Sequence, residues 1–184
     1  MRRLRVLPPA LIALALMGAV GCGGGASFDG EVDVPDGYET YRGEGVSFVH
    51  PAAWRPSTRS LGHDITEIRF QAADAGRTAP AVVLTVQPGV GERFDTKVAS
   101  QRDVLESVGD AEVEQDSVEV PGARKAYLSH IDVPDRGTGP SKSQSVDLLT
   151  ADGRHLALSA GAPERDADAV DADAVIASLR VNGS

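Results

Sequence analysis

The stretch Ala81-Val82-Val83-Leu84-Thr85-Val86 constrains this chain more than any other. It is nearly continuous, apolar and β-branched, as expected of a central strand buried on both faces. Pro88-Gly89-Val90-Gly91 ends it. A strand of that kind needs covering layers, and the chain has few large residues with which to build them. Only 4% of the sequence is aromatic, with Trp54 the single tryptophan, so the core must come mostly from Val, Leu, Ile and Ala. Cys22 is the only cysteine, which excludes an internal disulfide.

The remaining elements can be read around that strand. Tyr38 to Tyr41 and Val46 to His50 form a hairpin across Gly43-Glu44-Gly45, with Val46, Phe48 and His50 on one face and Pro51 as the stop. Pro51-Ala52-Ala53-Trp54 turns the chain and sets a large ring over the sheet edge or core. Arg55 to Asp64 reads as polar loop. Ile65 to Gln71 is a strand with Ile68 and Phe70 on one side.

After the apolar strand, Asp95 or Thr96 caps a helix whose stripe is Val98, Leu105 and Val108, with Val104 beside them. Gly109 suits the left-handed residue after its last turn. Strands follow at Val113 to Val120 and Ala123 to Val133. The second places Tyr127, Ser129, Ile131 and Val133 on one side and Ala126, Leu128 and His130 on the other. Ser143 to Ala151 pairs with His155 to Ser159 through Asp152-Gly153, a dipeptide suited to a type I′ turn. A closing helix opens at Pro163 with Glu164 and Asp166 in its first turn and Ala167, Val170, Ala174 and Ala177 as its stripe. Leu179 and Val181 form an apolar tail. About eight strands, four before the first helix and four after, joined mostly at hairpin length, predict an α+β fold: a mostly antiparallel sheet covered by helices.

The N-terminal segment is of another kind. Arg2, Arg3 and Arg5 precede an apolar run from Val6 to Val20, and no further charge appears until Asp29. About 15 residues are too few for a membrane-spanning helix, which takes about 20, but suit an export signal. Ala19-Val20-Gly21-Cys22 resembles a bacterial lipobox, with Ala19 where the usual pattern has Leu. That resemblance implies cleavage before Cys22 and a diacylglyceryl thioether on its sulfur. One acyl chain binds a membrane only marginally, whereas two hold stably. Residues 1–21 are thus expected to be a signal peptide and residues 22–37 a flexible linker. Its Gly-rich start and acidic Gly/Pro-broken remainder give a reach of about 20 Å as a coil. Residues 38–184 are expected to form a single α+β domain on the extracytoplasmic side of the cell membrane.

Without the three leader arginines, 15 Lys and Arg stand against 27 Asp and Glu, a net charge of −12. Such a surface repels nucleic acid. The sequence carries no catalytic, metal or cofactor motif. His50, His63, His130 and His155 are scattered, without metal-ligand spacing. The acidic repeat from Asp166 to Val175 lacks the glycine turn and terminal glutamate of a calcium loop, and reads as a helix with an acidic outer face. Ser60-Leu61-Gly62-His63-Asp64 holds the residue types of a hydrolytic triad, but sequence neighbours rarely adopt its geometry. Trp54, Arg55 and Arg59 are the candidate binding residues, since Trp and Arg are enriched among interface anchors.

The opening hairpin with Gly45-Val46-Ser47-Phe48-Val49-His50-Pro51 and Trp54, the strand start at Gly122-Ala123, and the ending Ala177-Ser178-Leu179-Arg180-Val181 form a familiar order. Together they resemble the α/β/α sandwich of the PsbP/Mog type, and more narrowly the actinobacterial lipoproteins of the LpqN/LpqT kind. The resemblance implies a non-enzymatic scaffold. The expected function is that of a lipid-anchored binding or adaptor module for another cell-envelope component. A carrier or sensor of a small apolar ligand is the alternative, and a hydrolase comes third. If Cys22 carries the anchor, Cys22→Ala moves the protein from the membrane pellet to the soluble fraction on cell fractionation; a variant that still pellets refutes the assignment.

Overall fold

The computed structural model describes residues 34–76, 78–135 and 139–182. The leader, Cys22 and the linker as far as Asp33 lie outside the described residues. The predicted opening hairpin is present as β1 (Tyr38–Gly43) and β2 (Val46–Pro51), paired antiparallel. Four strands follow as β3 (Arg55–Gly62), β4 (Ile65–Gln71), β5 (Ala81–Gln87) and, after helix α1 (Phe94–Gly109), β6 (Glu112–Val118). Then come β7 (Ala123–Val133), β8 (Ser141–Thr150), β9 (His155–Pro163), a short helix α2 (Ala172–Ala177) and β10 (Arg180–Val181).

Seven of the strands form one sheet in the order β3-β4-β5-β9-β8-β7-β6, antiparallel at every pairing. The other three form a small sheet, β1-β2-β10. Strand alternation gives the large sheet two unlike faces. One carries Ile68, Phe70, Val82, Leu84, Val146, Leu148, Leu156 and Leu158, each at most 5% exposed. These pack with Val46 and Phe48 of the small sheet, with Trp54, and with Val175, Ile176 and Leu179 at the end of the chain. Phe48, Phe70 and Tyr41 meet in tilted and edge-on contacts at 5.1–5.6 Å, geometries favoured by the ring quadrupole. The opposite face is covered by α1 through a second, smaller cluster of Val90, Phe94, Val98 and Leu149.

The fold class is as expected: α+β, mostly antiparallel, with few helices. The structure corrects several details. One covering layer is chiefly the small sheet, with α2 only six residues long. Arg55 to Gly62 is a strand and not a loop. Its residues are all exposed because it lies at the sheet edge, so it lacks the apolar alternation of a half-buried strand. It joins β4 through His63 and Asp64, both at positive φ (52° and 59°), as a two-residue type I′ turn requires. β5 is third from one edge, and Val83 and Thr85 on its α1 side are only half-buried.

The helix termini also differ. A 3₁₀ turn at Gly91–Arg93 leads into α1, so neither Asp95 nor Thr96 is its N-cap. The left-handed residue at its end is Asp110 (φ 46°), one beyond Gly109. Val104 is 55% exposed, off the buried stripe. At the β8–β9 turn only Gly153 has positive φ, and Gly153 N–H donates to Thr150 O, giving a four-residue connection in place of the type I′ turn. The closing helix is broken. Glu164–Ala169 is 3₁₀, Val170 is extended and buried, and α2 starts afresh with Asp171 accepting from Ala174 N–H. Aspartates compete with the backbone in helix interiors but stabilise helix starts, which explains the restart. The apolar tail becomes β10, pairing Arg180 and Val181 with Ser47 and Val46. Gly122 (φ 83°) lets it approach, since a Cβ there would stand 2.6 Å from Val181 O.

If the β8–β9 layer is the centre of the core, Leu158→Ala costs about 2–5 kcal/mol, whereas Val104→Ala on the outer side of α1 stays within about 0.5 kcal/mol. Urea unfolding of the two variants measures the difference; equal losses would contradict this placement of the core.

Candidate functional site

The face of the large sheet beneath α1 is unusually polar. The register aligns Gln115, Ser129, Ser145 and Ser159 in one row across β6, β7, β8 and β9. The Gln115 amide donates to Ser129 Oγ at 2.9 Å, and the Ser145 and Ser159 hydroxyls bond each other at 2.9 Å. The next row holds Tyr127, Asp147, Ala157 and Thr85. Val98, Gln101, Arg102 and Leu105 of α1 face these rows at helical spacing, but the contact does not fill the space. A groove of about 440 Å³ is left, lined also by Lys97, Leu61 and Ile65, within the size range of small-molecule sites.

At one end of this groove, Asp147 and His155 form a buried pair. They are diagonal neighbours on adjacent strands, since Asp147 is level with Ala157. His155 Nε2–H donates to Asp147 Oδ1 at 2.6 Å, and the imidazole is 2% exposed, edge-on to Phe94 at 5.6 Å. That bond puts the proton on Nε2 and, in a neutral ring, leaves the Nδ1 lone pair as an acceptor. Nδ1 is buried and has no hydrogen-bond partner. The same holds for Nε of Arg102, across the groove on α1. Among the described residues these are the only two buried side-chain nitrogen or oxygen atoms left without a hydrogen bond, and both residues line this groove. Buried polar groups are normally satisfied, so such a coincidence calls for a physical reason.

The N-terminal end of α1 is clamped beside this pair. Phe94 stacks on Tyr127 at 5.9 Å, and Asp95 accepts from Lys125 Nζ at 2.7 Å and from the Tyr127 hydroxyl at 3.1 Å. The Lys125 bond, with lesser help from Tyr127, holds the Asp95 carboxyl below its usual range. The same bond to Asp95 raises Lys125.

The residues singled out from sequence lie elsewhere. Trp54 is 7% exposed and belongs to the core, so its ring is not a surface anchor in this conformation. Arg55 is exposed and bonds the carbonyls of Ala52 and Trp54. Arg59 grips Glu67 with two bonds of 2.8 and 3.0 Å. Both arginines lie on β3, while the tryptophan faces inward. His50 is buried against Phe70 at 4.4 Å, His63 sits in the β3–β4 turn and His130 on an exposed part of β7, so the histidines do not converge. Asp147 and His155 escaped the sequence reading, although a signal existed. Asp147 interrupts the apolar run of β8, and its alternation places it on the same side as His155 once the strands are paired.

No protein-family model and no curated protein matches this chain. Among solved structures it is similar to the cyanobacterial PsbP (CyanoP) of Synechocystis sp. PCC 6803, known from a solution structure. The TM-score is 0.55 at 18% identity, covering 90% of this chain and 98% of that one. The likeness establishes a PsbP-like fold.

The Asp95 clamp makes a pH prediction. A carboxylate held below its unfolded value adds stability above the ordinary range near pH 4, and that stability is lost as pH falls through the folded value. Asp95→Asn is therefore less stable than wild type at neutral pH, and the gap closes in acid. Thermal melts across that range measure it; a gap that persists in acid shows the loss to be one of packing.

Proposed function

We propose that this chain is a lipid-anchored, extracytoplasmic lipoprotein that works by binding, and that the groove beneath α1 is its binding site. The observation that carries this reading is the groove itself. A polar sheet face is roofed by one helix, is left unfilled, and gathers both orphaned buried nitrogens. The lipobox-like Ala19-Val20-Gly21-Cys22 and the arginine-led apolar segment support the anchor, and with it the membrane as a partner. The resemblance to the LpqN/LpqT type, carried by the hairpin of Gly45 to Pro51 with Trp54, by Gly122-Ala123 and by the ending Ala177 to Val181, agrees with it. Binding is favoured over hydrolysis because, among the described residues, no serine hydroxyl is within hydrogen-bond reach of His155 Nδ1, so the Asp147–His155 pair activates none of them in this arrangement.

Between an envelope protein and a small molecule as occupant, the geometry favours the small molecule. A protein-docking face built on Trp54 would need that ring at the surface, and it is buried. Strand addition would need a welcoming edge. β3 carries Pro56, which has no N–H, and a bulge between Ser60 and Gly62, while β6 exposes Glu112, Glu114 and Asp116. These are the usual devices that blunt a sheet edge. Hydroxyl and amide groups on the groove floor, beside apolar residues such as Leu105, Val113 and Ile131, favour an occupant with polar groups over a wholly apolar one.

The full-length lipoprotein extracted from its own membrane should show a bound small molecule by native mass spectrometry. Ser145→Leu, which fills the groove, should lack it while keeping the wild-type circular dichroism. An empty wild-type groove, together with stoichiometric in-cell crosslinking to one envelope protein, would transfer the function to the adaptor reading.

A further inference from the structure

We infer that the groove beneath α1 takes a small hydroxylated carboxylate, of the size and chemistry of a sugar acid; this rests on the groove being the binding site. The two walls of the groove differ in character: α1 presents cations and the sheet floor presents hydroxyls. The Arg102 guanidinium carries a positive charge and suits an anionic oxygen. The Ser129, Ser145 and Ser159 hydroxyls suit the hydroxyls of a ligand, since each can donate or accept. An alkyl chain suits neither wall, and an inorganic anion without hydroxyls suits only the first.

The charged groups of the lining agree, beside apolar residues such as Leu105, Val113 and Ile131. Lys97 flanks the groove and, among the described residues, has no ion-pair partner. Arg102 is shared only loosely, with Asp103 at 3.5 Å and Glu106 at 3.8 Å. The one carboxylate in the lining, Asp147, gives Oδ1 to His155. In a protein with an excess of acidic residues, this lining therefore presents two cations and one committed anion.

The hydroxyl row has capacity to spare. Ser145 and Ser159 share one hydrogen bond, which leaves one of the two protons free. Ser129 accepts from Gln115 and can still donate. The sheet floor thus suits the several hydroxyls of a polyol, while the α1 side suits its acid group. A monosaccharide-sized molecule fits a groove of about 440 Å³ with room for water.

The test is an NMR titration of the intact extracytoplasmic chain, uniformly ¹⁵N-labelled, with D-glucuronate as the probe. D-glucose (hydroxyls without the acid), acetate (the acid without hydroxyls) and decanoate serve as comparison ligands. The expected result is saturable shifts of amides in α1 and in β7 to β9 with glucuronate. Glucose and acetate should bind at least about tenfold more weakly, each lacking one charge-assisted or hydroxyl contact. Arg102→Gln and Lys97→Met should each weaken glucuronate about tenfold while leaving the melting temperature near wild type. If glucose or decanoate shifts the groove amides as well as glucuronate does, the ligand class is wrong and the groove remains a binding site. If none of the four perturbs those amides, both the class and the groove fall.

Discussion

The structure depends on one constraint: a seven-stranded sheet has two faces, and this chain has apolar residues enough to seal only one. Val82, Leu84, Val146, Leu148, Leu156 and Leu158 make one face a continuous apolar surface. The small sheet, Trp54 and the α2 segment close over it. At about 25 cal/mol per Å² of buried apolar surface, that contact supplies most of the driving force for folding. Alternation then assigns the opposite face to the residues in between, which here are Ser129, Ser145, Ser159, Asp147 and Thr85. Val113 and Ile131 lie on this face too, and near Leu149 and Tyr127 α1 docks through Phe94 and Val98. The groove is the space that remains where α1 does not fill the gap above the sheet.

The same alternation explains what the sequence could and could not disclose. Ala81–Val86, the Ala123–Val133 strand and the Val46–His50 hairpin were legible because apolar residues at period two or in runs have few other interpretations. Arg55–Gly62 was hidden because an edge strand exposed on both faces carries no such signal; only its pairing with β4 makes it a strand. The closing segment misled in the opposite direction. Its Ala/Val/Asp spacing fits a helix, but burial of Val170 in an extended conformation outweighs the modest propensity that would continue it.

The site was less legible than the fold for a related reason. Trp54 attracted notice by residue type, and residue type alone does not distinguish an interface anchor from a core ring. The ring packs inward because Pro51–Ala53 turns the chain over the aromatic cluster of the small sheet. Asp147 and His155 are eight positions apart and become neighbours only when β8 and β9 adopt their observed register. The Ser129–Ser145–Ser159 row likewise belongs to three strands and exists only across them. Sites assembled by sheet register leave no local motif.

Energetics sharpen the case for a functional groove. An unsatisfied buried polar group costs about 1–3 kcal/mol, and a domain is stable by only about 5–15 kcal/mol in total. His155 Nδ1 alone is a sizeable part of that margin. Apolar substitutes at His155, Asp147 and Arg102 would remove the cost and extend the Val90–Phe94–Val98 cluster along the whole helix. The chain instead keeps an ionisable pair and an unfilled space in the interior. Strained or unsatisfied polar groups concentrate at functional sites. On that reasoning the polar face is the part of this fold held back from stability, and the apolar face opposite is what makes that tolerable.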